Sequence, residues 1–375
     1  MKILVLFTYK NSLETWKNSG IIDRELSYYK NLSEKYNIKY TFLTFGDNDE
    51  HKYLNNYLNL SVIPIYEHIK KSDKSYKLFL RTLKIPFLIK DQLKDISLIK
   101  TNQLNGSWIA ILIKLIIKKP LLIRTGYDAF IFSIKDKKSV LKKVLYYLLT
   151  QTALIFSNLY TVTSKDDYEF IKNKYLFKKS NIKIRPNWVA TNPNMNFENK
   201  DNLRIVTVGR LVAQKNYGFL IKEFSNTDYM IDIIGDGPDK TKLEHAAKTL
   251  NSNINFHGNL PHHELMDILR DTKYFISTSL YEGNSKVLLE ALASGCLVFA
   301  ADISNNSEII THEQTGILFE LKDGELINSF NKYSNDEISR KISKNAFTHI
   351  SKNYSLSKVS GNEYSDYIGI LGQRD

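Results

Sequence analysis

"RIVTVGRLVAQKNYGFLIKEF", residues 204–224, decides the fold. Ile205, Val206, Thr207 and Val208 read as a short buried strand. Gly209 lets the chain turn, a polar loop follows, and apolar residues return at helical spacing from Tyr217. The same strand–turn–helix unit recurs C-terminally in "YMIDIIG", "NINFHG" and "KYFISTS", followed by helices from Lys240, His262 and Ser285, and then by the strand "LVFAA". Towards the N-terminus the strands are residues 3–7, "KYTFLTF", "LSVIPI", "DISLIKT" and "LLIRTG", with a helical pattern from Ile21 to about Lys35. Such alternation predicts an α/β fold whose mostly parallel sheets are covered by helices. "NIKIRPNWVATNPNMNFENKDN" reads as a strand followed by a turn-rich, polar stretch that interrupts the rhythm and marks a boundary. The expected architecture is two Rossmann-like parallel-sheet domains, residues 1–195 and 196–345, facing a central cleft, with a helical tail over residues 346–375. Ligands of such sheets bind beyond the carboxyl ends of the strands. In the first half this directs attention to the polar loop at residues 9–20 and to residues 124–130.

The 375 residues suffice for two cores, and 43% hydrophobic with 12% aromatic content describes ordered globular structure. Cys296 is the single cysteine, so no intramolecular disulfide and no cysteine metal cluster can form. The formal charge of +12 suits an anionic partner such as acidic lipid or a phosphorylated small molecule. Basic residues are spread over both halves without an aromatic–basic module, and no nucleic-acid partner is expected. The first residues read as a strand and no secretory signal is expected from them, and residues 107–123 are broken by Lys114, Lys118, Lys119 and Pro120 short of a membrane span. The expected location is the cytoplasm, at the inner face of the membrane where a membrane is involved. Residues 134–156 read as one helix from near Lys135, with Lys137, Lys138, Lys142 and Lys143 beside Leu141, Leu145 and Leu148. It is either a solvated surface helix or one resting on an anionic membrane.

Chemistry-bearing residues concentrate in the second half. Arg210 and Lys215 flank the loop after Gly209, just before a helix, an arrangement suited to a diphosphate. "IIGDGP" has Gly235 and Gly237 but lacks the third glycine of a dinucleotide fingerprint, and reads as a tight turn near a nucleotide. No P-loop, no nucleophile elbow and no histidine–carboxylate metal spacing occurs; His262 and His263 are adjacent and diverge on a helix. "LYEGNSKVLLEALASG", residues 280–295, places Glu282 before a helix and Glu290 within its apolar pattern of Val287, Leu288, Ala291 and Leu292. Glu290 either lies on an exposed edge or, with Glu282, accepts hydrogen bonds from ligand hydroxyls.

Taken in order, "VGRLVAQKN", "IIGDGP", "FHGNLPHHEL", "LYEGNSKVLLEALASG" and "ISNNSEIITHEQTGILF" resemble the donor-binding domain of retaining glycosyltransferases of family GT4, which have the two-domain GT-B architecture. "EGNSKVLLE" resembles the family's two glutamates separated by seven residues. The likeness is close from about residue 203 to 319 and looser before. It implies that Arg210 and Lys215 hold the donor diphosphate and stabilise the leaving group with no metal or other cofactor. It implies that Glu290 accepts the ribose hydroxyls, and that Glu282 meets the transferred sugar beside Gly283, Asn284, Ser285, Lys286 and Val287. The resemblance further implies that Leu260 flanks the nucleobase and that Gly209, Gly235 and Gly237 shape the donor site. Gly20 stands where the family often has a glycine pair, and Tyr127, followed by Asp128, where it often has a histidine. The expected reaction moves a hexose-type sugar from a UDP-sugar to a hydroxyl of a glycan or lipid-linked saccharide, as in capsule or lipopolysaccharide assembly. A non-hydrolysing UDP-sugar epimerase of the same architecture, or a nucleotide-sugar-binding homologue without turnover, remains open.

Overall fold

The computed structural model describes residues 1–176, 181–192, 197 and 200–372. They fall into two compact units, Met1–Arg185 with Ser360–Asp375, and Pro186–Val359. The boundary expected at residues 195 and 196 lies outside the described residues.

In the first unit, β1 (Lys2–Leu6) leads through α1 (Leu13–Asn18) and α2 (Ile22–Tyr36) to β2 (Lys39–Thr44) and β3 (Leu60–Pro64). Helices α3 (Ser75–Thr82) and α4 (Ile85–Leu88) precede β4 (Leu98–Thr101), and α5 (Ser107–Ile117) precedes β5 (Leu121–Arg124). Then come α6 (Ala129–Lys135), α7 (Val140–Phe156), β6 (Leu159–Val162), α8 (Lys165–Lys174) and β7 (Asn181–Ile184). The sheet order is β3-β2-β1-β4-β5-β6-β7, with every described pairing parallel. Both faces of such a sheet are covered, which is why β1 to β6 are mostly buried although Thr41, Lys100, Thr101 and Thr161 interrupt their apolar runs. The order reverses between β1 and β4. Right-handed crossovers therefore put α1 and α2 on one face and α3 to α8 on the other.

The second unit contains β8 (Asp201–Val208), α9 (Tyr217–Glu223), β9 (Met230–Ile234), α10 (Lys240–Thr249), β10 (Ile254–Gly258) and α11 (His262–Asp271). It continues with β11 (Thr272–Ser277), α12 (Lys286–Ala293), β12 (Leu297–Ala301), α13 (Ser304–Ser307), β13 (Ile317–Phe319), α14 (Glu325–Tyr333) and α15 (Asp336–Asn353). Its parallel sheet has the order β10-β9-β8-β11-β12-β13, reversing between β8 and β11. One core lies on each face, the first built on Phe224, Phe299 and Phe330, the second on Phe275, Leu289 and Val298. The last helix, α16 (Leu356–Gly372), joins the first unit from Ser360 onward.

Local chemistry explains where the structure departs from the sequence reading. The expected polar loop at residues 9–20 contains α1. Ser12 and Thr15 form a reciprocal cap at its start, and the buried Glu50 accepts from the backbone N–H of Leu13 at 2.5 Å and of Glu14 at 3.2 Å. The single helix expected from near Lys135 is two helices, because Lys137 adopts a left-handed φ of 53° between α6 and α7. Strands β6 and β13, four and three residues long, add to those expected from the sequence.

A buried polar knot fixes α16 to the first sheet. Glu363 accepts from Tyr28 Oη at 2.7 Å, from Lys100 Nζ and from Tyr367 Oη. Asp366 accepts from Lys183 Nζ at 2.9 Å and from both Nε and Nη2 of Arg185, at 2.6 and 2.8 Å.

Candidate functional site

The reversal between β8 and β11 opens a crevice at the carboxyl end of the second sheet, the position where such sheets bind ligands. Gly209 ends β8. A side chain there would collide with the Lys215 side chain, since its Cβ would lie 2.7 Å from Lys215 Cε. Gly235 is more strictly required than Gly209, whose nearest neighbour is the flexible end of Lys215: its φ is +138°, and a Cβ would lie 2.1 Å from the Gly209 backbone carbonyl oxygen. Gly237 likewise packs on the backbone of Leu211, where a Cβ would lie 2.4 Å from its carbonyl oxygen. These approaches hold the turns after β8 and β9 together.

The loop after β11 is laced to the loop after β8. The Leu280 N–H donates to the Gln214 carbonyl at 2.8 Å, and Gln214 Nε2 donates to the Tyr281 carbonyl at 2.7 Å. Thr278 Oγ1 donates to the Lys215 carbonyl at 2.8 Å. From the other side the Asn187 N–H donates to Asn284 Oδ1 at 2.8 Å, and Asn187 Nδ2 to the Asn284 carbonyl at 2.5 Å. This lacing brings Lys215 Nζ to 2.5 Å from Glu282 Oε1, which also accepts from Ser279 Oγ at 2.6 Å. Arg210 is exposed at the same turn.

Ser285 caps α12 through the Leu288 N–H. The helix carries Glu290 into the interior, where it is 2% exposed, so the exposed-edge reading is excluded. His262, at the start of α11, places Nε2 3.0 Å from Glu290 Oε1. Leu260, just before α11, and Val287 pack partly buried against the core beneath. His263 points outward, as the expected divergence of the two histidines requires. Gly283 and Lys286 lie in the same Glu282–Glu290 segment. The structure thus collects Gly209, Arg210, Lys215, Gly235, Gly237 and the residues from Glu282 to Glu290 on neighbouring loops of one unit. Sequence reasoning missed Asn187, Gln214, Ser279 and His262, whose roles depend on contacts between segments distant in the chain.

The first-unit candidates are arranged differently. Asp128 is 0% exposed and caps α6, accepting from the Ile131 N–H at 2.8 Å and from Tyr175 Oη at 3.0 Å. Its carboxylate is thus engaged within the first unit by the start of α6 and by Tyr175. Tyr127 is exposed, its ring 4.1 Å from that of Phe132. Although the ring is partly open to solvent, desolvation around its hydroxyl raises the phenol pKa, which removes it further from use as a base near neutrality. It lines a cavity of about 150 Å³ with Thr8, Gln103, Asn105 and Tyr146, at the reversal point of the first sheet. Gly20, with φ +73°, closes α1, its N–H donating to the Lys17 carbonyl at 3.0 Å. Among the described residues no three His, Cys, Asp or Glu side chains are grouped to hold a metal ion. No described helix is long and apolar enough to cross a membrane.

Residues 190–349 match the family described as glycosyl transferases group 1. The chain is 28% identical over 197 residues to the capsular polysaccharide biosynthesis glycosyltransferase CapH of Staphylococcus aureus, a match covering 50% of this chain and 53% of that one. It is 26% identical over 253 residues to UDP-Gal:alpha-D-GlcNAc-diphosphoundecaprenol alpha-1,3-galactosyltransferase of Escherichia coli, covering 61% of this chain and 64% of the relative. The match thus spans about half the length of CapH. In fold, the whole chain resembles sucrose-phosphate synthase from Thermosynechococcus elongatus, with TM-score 0.79, 14% identity and 100% of both chains covered. Anabaena HepE in complex with UDP and glucose aligns with TM-score 0.73 and 16% identity, over 98% of this chain and 100% of that one. The architecture is GT-B, two Rossmann-like parallel-sheet domains.

Proposed function

We propose that this chain, which belongs through residues 190–349 to the glycosyl transferases group 1 family, moves a hexose-type sugar from a nucleoside diphosphate to a hydroxyl of a lipid-linked glycan with retention at the anomeric carbon. The observation that carries the reading is the Lys215–Glu282 pair at the reversal point of the second sheet, with Glu290 held on the helix that follows. Arg210 and Lys215 neutralise charge on the departing diphosphate, in the role a divalent ion plays elsewhere. Glu282 accepts from hydroxyls of the transferred sugar and Glu290 from the ribose. The bond from the anomeric carbon to the diphosphate oxygen breaks, and the bond from that carbon to the acceptor oxygen forms on the same face. The acceptor's proton passes to the departing phosphate, so no strong protein base is needed where Tyr127 stands. A UDP-sugar is the proposed donor, in keeping with the names of the galactosyltransferase relative and of the HepE complex.

The acceptor would be met at an anionic membrane surface. Along α7, Val140 and Leu141 are 75% and 69% exposed, and Val144, Leu145 and Leu148 continue the outward apolar row beside Lys142 and Lys143. Lys137 and Lys138 precede the helix in its entry turn. Each lysine near an acidic surface contributes about 1 kcal/mol. Flotation with phosphatidylglycerol vesicles tests this: replacing the four lysines with glutamine should weaken retention, and unchanged retention would remove α7 from the proposal. The transfer itself is tested by calorimetry with UDP, GDP and ADP, followed by turnover of UDP-sugars with lipid-diphosphate-linked saccharides. An inverted anomer in the product, or no nucleotide bound, would overturn it.

A further inference from the structure

We propose that α3 and α4 form a second lipid-contact surface of the first unit, one that inserts apolar side chains into an anionic bilayer. This extends the membrane reading of α7 and rests on it. On α3, Leu78 and Thr82 face inward, while Tyr76, Phe79 and Leu80 face out. On α4, Ile85 and Pro86 are buried, whereas Phe87 and Leu88 are 66% and 52% exposed. A solvated helix pair would carry polar residues at those outward positions. Between residues 70 and 90 the chain holds six lysines and Arg81 against one acid, Asp73. Arg81 Nη1 donates to the carbonyls of Lys70 at 2.8 Å and Lys71 at 3.0 Å, which holds the incoming basic loop beside α3.

The surface is anchored. Trp108 of α5 donates from Nε1 to Thr82 Oγ1 at 3.1 Å, and its ring lies 5.2 Å from that of Phe79. Helix α4 packs on α5 and α5 on α7, so the exposed residues of α3, α4 and α7, with Leu115 of α5 between them, belong to one helical layer. Outward aromatic and leucine tips among lysines match the acyl boundary and phosphates of an acidic membrane. A second copy of the chain would set lysine against lysine.

Replacing Tyr76, Leu80, Phe87 and Leu88 together with serine tests the proposal. All four side chains are exposed, so UDP affinity should stay at the parental value and serves as the folding control. Partition of the parent onto phosphatidylglycerol-containing vesicles should survive added salt in part, because apolar insertion is not screened. The serine variant should lose at least about tenfold in partition, with its remaining binding abolished by salt. Parental partition of the serine variant, with loss only in the α7 lysine variant, would overturn this inference and leave the α7 reading intact. A parent that floats with no vesicle would overturn both. A change in sedimentation from dimer to monomer with unchanged flotation would assign the face to a second copy instead.

Discussion

Lys215 and Glu282 are joined across the reversal point of the second sheet, Nζ to Oε1 at 2.5 Å, although they lie in loops following different strands. A lysine engaged in this way is poised but not committed. A diphosphate can draw the ammonium towards its own oxygens, and a sugar hydroxyl can replace it on the carboxylate.

That exchange separates the two glutamates experimentally. Glu282→Gln should leave affinity for bare nucleoside diphosphate unchanged or raise it a few-fold, because Lys215 loses a competing carboxylate. The same variant should weaken the sugar nucleotide by about 1.5–3 kcal/mol, the worth of a hydrogen bond to a charged group. Glu290→Gln should weaken both ligands by similar amounts. Calorimetry with UDP and UDP-sugar decides it, and equal losses of the two ligands in both variants would sink the assignment.

The cation pair makes a second prediction. Turnover should persist in excess chelator if Arg210 and Lys215 supply the charge compensation as proposed. Arg210→Ala should reduce kcat by about two orders of magnitude, a loss of about 3 kcal/mol from a group acting on developing charge. Lys215→Arg should lose less, since charge stays while geometry changes. Steady-state rates with and without chelator check this; activity abolished by chelator and restored by manganese would refute it.

The second unit was legible because its strands end in residues with few alternatives. Gly235 packs against the Gly209 backbone, and the Glu282–Glu290 spacing lies within one loop–helix segment. Other partners depend on distance in the chain. Asn187 is 97 residues from Asn284, and His262 is 28 from Glu290, so neither pairing has a local signature. The first unit misled through its helix starts. The Ser12–Thr15 cap of α1 is local and was passed over, while its support from Glu50 comes from 37 residues beyond Leu13, and Asp128 reads as a loop carboxylate although α6 begins at the next residue.

The tail should matter for stability more than for chemistry. Glu363 and Lys100 are both buried, and Glu363→Gln leaves the ammonium without its carboxylate. The expected loss is about 3–5 kcal/mol. Joint replacement by Lys100→Met and Glu363→Leu should recover only part of it, because the buried ion pair is gone but the buried Tyr28 and Tyr367 hydroxyls lose their acceptor. Denaturant unfolding of the parent and both variants measures this, and a Glu363→Gln variant within about 0.5 kcal/mol of the parent would contradict the assigned role.

Asp167 predicts how stability varies with pH. Burial pushes its carboxyl up from 3.8 to about 6, against hydrogen bonds from the Asp128 N–H at 3.0 Å and Ser164 Oγ at 2.8 Å, with the neighbouring charge of Asp128 adding to the rise. An acid raised in the fold holds its proton where the unfolded chain has already released it. Its contribution is therefore most favourable below the unfolded value of 3.8, declines as pH rises to about 6, and is constant above. The decline is about 3 kcal/mol for a shift of roughly two pKa units. Asp167→Asn keeps an oxygen for the Asp128 N–H and removes the titrating group. It should be more stable than the parent near neutrality, with the advantage vanishing as pH falls towards about 4. Denaturant unfolding across that range tests the slope, and a difference between variant and parent that is the same at both ends would show that Asp167 does not titrate there.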